Sequence, residues 1–294
     1  MSHPQILHIT PGDFLEKSFQ LGRKLFEAGI KPRHTISIWR GGTPVGLGVD
    51  AFYRSRGIFL NHTTIATESY EGIGVQGKVV VKGLEHLINV VCREDDLLII
   101  DDVYETGNTI RAIIETIRDR ARANTPRKIY IGTIHSKPEK HCYEEFPVVS
   151  LEILPGSTWI DYPHELADLV NENDPLDSLI KHKDPRIWEI LHGPPATPGA
   201  QLASLPRSYL TPAQLQYDAI ELGLHMAREK QYLPDFLIAL WPGGVSAGLP
   251  IHEVYKYLVK KGELPKSPNH ISLNTTKTHL TYRSNIIGIE YLME

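Results

Sequence analysis

Sliding the chain against itself by about two hundred residues brings two stretches into register, and this internal repeat limits what the chain can fold into. Thr10-Pro11 falls on Thr211-Pro212, Leu21-Gly22 on Leu222-Gly223, and WRGGTPVGLG (39–48) on WPGGVSAGLP (241–250). Further on, His62 through Thr67 resembles His270 through Thr275, and GLEHL (83–87) resembles GIEYL (288–292). The match covers roughly 80 residues at a spacing far too long for a solenoid, so it marks a duplicated piece of a domain.

Both copies open with the same local physics. A Thr able to cap a helix is followed by Pro at the first helical position and by a polar residue three places on, Asp13 or Gln214. Leu15, Phe19, Leu21, Gly22, Leu25 and Phe26 roughly follow a 3.6 period, TISIW (35–39) reads as a buried strand, and a second helix is expected from about Pro44 to Ser55. Apolar runs at 58–66, 78–82, 97–100, 128–134 and 147–153 continue the alternation, which implies an α/β fold with a mainly parallel sheet. Residues 163–192 are polar with weak helical patterning, and GPPATPGAQLASLPRS (193–208) holds the densest Pro and Gly. The expected organisation is a domain over 1–165, a linker over 166–208 and an incomplete second copy over 209–294.

With 41% hydrophobic and 22% charged residues, the 294-residue chain can bury a core and is not a disordered one. A net charge of -4 lacks the electrostatic footprint of a nucleic-acid binder, so an anionic ligand must be held locally by loops and helix ends. Cys92 and Cys142 stand in unrelated contexts, forming neither a disulfide framework nor a C-x-x-C knuckle. The first residues lack a signal-peptide pattern and no stretch reaches the ~18 apolar residues of a membrane span. A cytoplasmic protein with no membrane partner is expected.

The chemistry concentrates in LLIIDDVYETGNT (97–109). Four apolar residues make a strand, Asp101 and Asp102 stand at its carboxyl end, and a Thr-Gly-Asn-Thr loop leads into IRAIIETI (110–117). Ligands of open α/β sheets lie beyond the carboxyl ends of the strands. The loop amides and the following helix N-terminus can cradle a phosphate, with hydroxyls from Thr106 and Thr109. An isolated acidic pair usually just caps a turn; the conjunction of strand, acids, loop and helix favours a ligand site.

This segment resembles the phosphoribosyl-diphosphate (PRPP) motif of the type I phosphoribosyltransferases, and the order of motifs from about Ile9 to Leu166 resembles the branch acting on 6-oxopurines. The resemblance implies that Asp101 and Asp102 meet the ribose hydroxyls, directly or through Mg²⁺, and that Thr106, Gly107, Asn108 and Thr109 hold the 5′-phosphate. WRGG (39–42) is similar to the pyrophosphate loop, placing Arg40, Gly41 and Gly42 against the diphosphate, with Mg²⁺ and Arg40 neutralising its charge. ESYEG (68–72) resembles the start of a flexible lid, with Ser69 and Tyr70 at its head, running from about Thr67 to Gly83 and including either Lys78 or Lys82 near the diphosphate. Lys137 is expected at the purine 6-oxo group, and Trp159, Ile160 and Asp161 resemble the aromatic-led segment that stacks on the base. Taken alone, Trp159 is more often a packing residue and Lys137 a solvated one; a flat ring with polar edges nevertheless needs such a stacking surface and such a donor.

Two positions depart from the family pattern. Glu105 stands where Asp is usual; it keeps a carboxylate for the purine N7 proton but moves it by about a bond length. Asn108 replaces a common Gly. The second copy has Pro242 in place of Arg40 and reaches Glu294 before a counterpart of Asp101, so one site per chain is expected. That half is expected to be a small α/β unit docked through its helix faces onto the first.

The sequence therefore suggests a Mg²⁺-dependent transferase that joins the phosphoribosyl group of PRPP to xanthine, guanine or hypoxanthine, as a homo-oligomer such as a dimer. Its rivals are a PRPP-binding regulator without catalysis and a transferase for another nucleobase.

Overall fold

The computed structural model describes residues 6–72, 75–170, 173–194 and 210–274, with backbone alone over 68–78. After a short strand β1 (Ile6–His8), Thr10 lies in extended backbone and its hydroxyl accepts the Asp13 amide at 3.1 Å, which starts helix α1 (Pro11–Glu27). Strand β2 (His34–Trp39) is buried throughout and runs into α2 (Gly42–Ser55), two residues earlier than the expected start. Pro44 falls inside the first turn, where a missing N–H costs nothing, so the helix extends back to Gly42.

Strands β3 (Asn61–Gly72) and β4 (Val75–Lys82) form an antiparallel pair, with Ser69 opposite Val79 and Tyr70 opposite Lys78. The stretch read as a lid is this pair; the side chains of Ser69, Tyr70 and Lys78 lie outside the described residues. Then follow α3 (Glu85–Val90), β5 (Asp96–Tyr104), α4 (Asn108–Ala121), β6 (Lys128–Ser136), β7 (Val148–Ile153) and β8 (Trp159–Asp161).

The main sheet has the order β4-β3-β2-β5-β6-β7 and is parallel except for β4. β8 lies outside it, paired in parallel with β1. Both sheet faces are covered, which is why β5 reads as a continuous apolar run rather than an alternating one. Leu97 and Ile99 join Ile36, Ile38 and the α4 residues Ile110, Ile113 and Ile117. Leu98 and Ile100 join Phe14, Leu21, Leu25, Val45 and Tyr53 on the opposite face.

The stretch expected as a linker is folded over much of its described part. Helices α5 (Ser178–Lys183) and α6 (Pro185–His192) pack Ile180, Ile187 and Leu191 against α7 (Pro212–Leu224) of the second copy. The apolar spacing was present but too short to show as a periodic pattern. Residues 195–209, with most of the Pro-rich run, lie outside the described residues.

The second copy repeats helix, strand, helix, strand: α7, β9 (Phe236–Trp241), α8 (Gly243–Lys260) and β10 (Asn269–Asn274). Thr211 caps α7 by accepting the Gln214 amide at 3.1 Å, as Thr10 caps α1. The peptides Trp39–Arg40 and Trp241–Pro242, at equivalent positions, are both cis. β9 and β10 pair in parallel. Ile238 and Leu240 stay about half exposed, whereas their counterparts Ile36 and Ile38 are buried beneath α3 and α4. GIEYL (288–292) lies outside the described residues.

The copies meet through strand ends as well as helices. Trp39 stacks on His270 and Trp241 on His62, with Val245, Leu249 and Leu47 packed around the two indoles. Asn274 donates its side-chain amide to the His62 carbonyl at 3.1 Å. Among the described residues both cysteines are free, and no helix is long and apolar enough to cross a membrane.

Candidate functional site

The carboxyl ends of β2 and β5, adjacent in the sheet, bring a glycine pair against an acid pair. A Cβ on Gly41 would collide with the Asp102 carboxylate, and one on Gly42 with the Ile100 carbonyl and, at 2.9 Å, with the Asp101 Cα. Only glycines let the loop approach this closely. The Gly42 amide donates to Asp101, and the Asp102 amide to Asp101 Oδ1 at 3.1 Å.

The two carboxylates are driven apart electrostatically. Burial and the neighbouring Asp102 charge push Asp101 well above the usual carboxylate range. Burial also opposes ionisation of Asp102, but His164 and the Val103 amide, at 3.5 Å and 2.8 Å, outweigh it and hold Asp102 low. One acid of the pair is thus readily ionised, and the other gains from any cation or donor placed beside it.

Two helices start beside these strands. α2 begins at Gly42 and α4 at Asn108, and neither has a side chain accepting its first amides from the N-cap position. Gly107 takes a φ of +80° to turn the chain into α4, and a Cβ there would strike the Tyr104 hydroxyl. Thr106 and Thr109 are partly exposed and Asn108 is exposed; the Asn108 amide donates to Thr106 Oγ1 at 3.3 Å. The first amides of α2 are already used, Gly42 by Asp101 and Thr43 by the Arg40 carbonyl at 3.2 Å, and Pro44 has none, so the helix start that can receive an anion is that of α4.

Glu105 is not free. Lys140 donates to it and the Lys137 ammonium lies 3.4 Å away. Burial alone would raise the Glu105 pKa, but the two lysines together bring it below the ordinary range. Lys137 is buried, at 5% exposure, and is fixed by its amide to the Tyr104 carbonyl at 2.9 Å.

Trp159 is 57% exposed, a ring open to a stacking partner. Ile160 is core, packed with Phe14 and Tyr162. Asp161 is buried and occupied, meeting His8 at 2.8 Å and Lys183 at 2.5 Å. Of these three side chains only Trp159 faces outward.

Arg40 turns toward the second copy. Its Nη1 donates to Glu253 at 2.8 Å and its Nη2 to Asp168 at 2.9 Å. Glu253, on α8, is 1% exposed; Arg40 overcomes the effect of burial and keeps it ionised. Sequence reasoning missed His164, Lys140, Asp168 and Glu253. Glu253 did leave a signal: a charged residue inside PIHEVYKYL, where the first copy has Ala51.

Asp101 and Asp102 can hold a cation only with help. Among the described residues no three His, Cys, Asp or Glu side chains converge as a metal cage.

No protein-family model and no curated protein matches the chain. Among solved structures it is similar to a hypothetical protein from Neisseria gonorrhoeae with bound ppGpp, at 20% identity and a TM-score of 0.46 over 57% of this chain and 93% of that one. It is similar to a purine phosphoribosyltransferase from Pyrococcus horikoshii at 21% identity and a TM-score of 0.43, over 57% and 99% of the two chains. A Helicobacter pylori xanthine-guanine-hypoxanthine phosphoribosyltransferase follows at 18% identity and 0.42, over 54% and 92%. All three TM-scores lie below 0.5, so the functional reading rests on the residues of this chain.

Proposed function

We propose that the chain transfers the 5-phosphoribosyl group of PRPP to a purine, and within the purines to a 6-oxopurine, releasing diphosphate. The observation that carries this reading is the contact of Gly41 and Gly42 with Asp101 and Asp102, on the strand that leads into the α4 helix start, which no N-cap side chain closes. A sugar bearing a diphosphate at one end and a phosphate at the other matches that arrangement: hydroxyl acceptors in the middle, the α4 start on one side and the glycine loop on the other.

In this reading Asp101 and Asp102 hold the ribose, the Arg40–Gly42 loop takes the diphosphate, and Thr106 to Thr109 take the 5′-phosphate. Trp159 stacks on the base, Lys137 donates to its 6-oxo group, and Glu105 takes up or returns the N7 proton. Mg²⁺ suits the acid pair, because it binds hard carboxylate oxygens and takes its remaining ligands from water and substrate phosphates; when bound it neutralises the leaving diphosphate. Titration calorimetry of PRPP into the protein with Mg²⁺ tests the donor half of the proposal. Saturable binding that is lost in Asp102→Asn is expected, and absence of binding would overturn it.

A second reading, a PRPP-binding regulator without turnover, is favoured by the ion pairs that hold Glu105 to Lys137 and Lys140. It predicts the same PRPP binding with no product from any base.

A further inference from the structure

The Trp–His stacks between the copies occur twice, as expected where two related units meet about a pseudo-twofold axis. The Arg40–Glu253 pair does not follow that symmetry. Its mirror positions are Pro242 and Ala51, neither of which can ion-pair. The tie therefore exists once, at the loop that faces Asp101 and Asp102.

Glu253 is built as a fixed post. One oxygen accepts Arg40 at 2.8 Å, and the other lies 3.4 Å and 3.3 Å from the amides of Leu166 and Ala167. A planar guanidinium gripped at two nitrogens, by Glu253 and by Asp168, has little freedom left. The two residues after Arg40 are glycines, the conformationally freest residue type, yet they must sit against Asp101 and Asp102 within a narrow tolerance. A buried ion pair is a poor device for stability alone, because desolvation offsets most of its attraction.

We infer that Glu253 is a positioning residue: through Arg40 it holds the Arg40–Gly42 loop against the acid pair, making the second copy part of the first copy's phosphate-binding machinery. The inference rests on reading that loop as the diphosphate cradle. It assigns the second copy a task that a purely structural unit would not have.

Glu253→Gln in the full chain is the test, because it keeps the shape while removing the charge and turning one of the two accepting oxygens into a donor. Three quantities are read: amide hydrogen exchange of a peptide spanning 39–45, PRPP affinity with Mg²⁺, and the melting temperature. Faster exchange at Gly42 and Thr43 is expected, with PRPP binding weakened roughly 10- to 100-fold and the purine KM little changed. Arg40→Lys, which cannot span both carboxylates, is expected to act likewise should the first variant not fold. Arg228→Gln is the control. It removes the paired bonds to Glu263 elsewhere in the second copy and should lower melting without moving PRPP affinity. Unchanged exchange and affinity in Glu253→Gln, tighter PRPP binding, or an equal effect of Arg228→Gln would overturn the inference. If the wild type binds no PRPP while exchange still rises in Glu253→Gln, the functional reading fails and the positioning role stands.

Discussion

The indole of Trp39 stacks on the imidazole of His270, ring centroids 4.6 Å apart and planes 23° from parallel. Its counterpart across the pseudo-twofold axis, Trp241 on His62, is closer still at 3.7 Å and 12°. With His252, 4.4 Å from His270, these rings place two buried histidines, His62 and His252, and the partly buried His270 where the copies meet.

Those histidines give the stability a pH dependence of definite sign. Burial, with Arg54 nearby, lowers His62 to about 3. Burial, Lys256 and Arg40 lower His252 to about 4 against the pull of Glu253. Burial, His252, Lys256, Arg40 and Lys82 lower His270 to about 2. In the unfolded chain each titrates near ~6.5, so their contribution is full above that pH. As pH falls below it, only the unfolded chain takes up protons, and stability drops on the order of 1 kcal/mol per histidine per pH unit, down to the folded pKa. Melting temperatures at pH 7, 6 and 5 should fall progressively, and the fall should be shallower in His270→Phe. A flat profile to pH 5 would contradict the assignment.

Gly41→Ala should damage the site more than its size suggests. The added methyl meets the Asp102 carboxylate, and relieving that clash costs about 1–3 kcal/mol while moving the loop or the acid. The expected result is a lower melting temperature and at least a tenfold loss of PRPP affinity. Wild-type affinity would show that the loop does not face the ligand.

Trp159→Ala separates the two substrates. Stacking on a base is worth about 1–3 kcal/mol, so the purine KM should rise roughly 5- to 150-fold with the PRPP KM little changed. Equal effects on both would make Trp159 a packing residue.

Glu105→Gln should lower kcat by roughly 10² to 10⁴ while PRPP still binds, and Glu105→Asp should keep most of the activity. Unchanged turnover in the Gln variant would remove Glu105 from proton transfer.

The parallel sheet and the acid strand were legible because they are local. The apolar run 97–100, the adjacent acids and the Thr-Gly-Asn-Thr turn lie within thirteen residues whose conformation their own chemistry dictates. The capping Thr10 and Thr211 were legible for the same reason. The partners of Arg40 were not, since Asp168 and Glu253 lie 128 and 213 residues away and meet it only through the packing of the second copy. The same holds for Asp161, read as part of a base-stacking segment, whose carboxylate is taken by His8 and Lys183 from two other elements. The folded stretch 178–192 escaped notice because two helices of 6 and 8 residues are too short to establish a period.

The most direct measurement is turnover by the purified protein with PRPP, Mg²⁺ and each of xanthine, guanine and hypoxanthine, following diphosphate and mononucleotide together. The account predicts stoichiometric release of both with at least one of the three bases, abolished in Asp102→Asn. PRPP binding without product from any of them would contradict it in favour of a regulator, and no PRPP binding at all would contradict both.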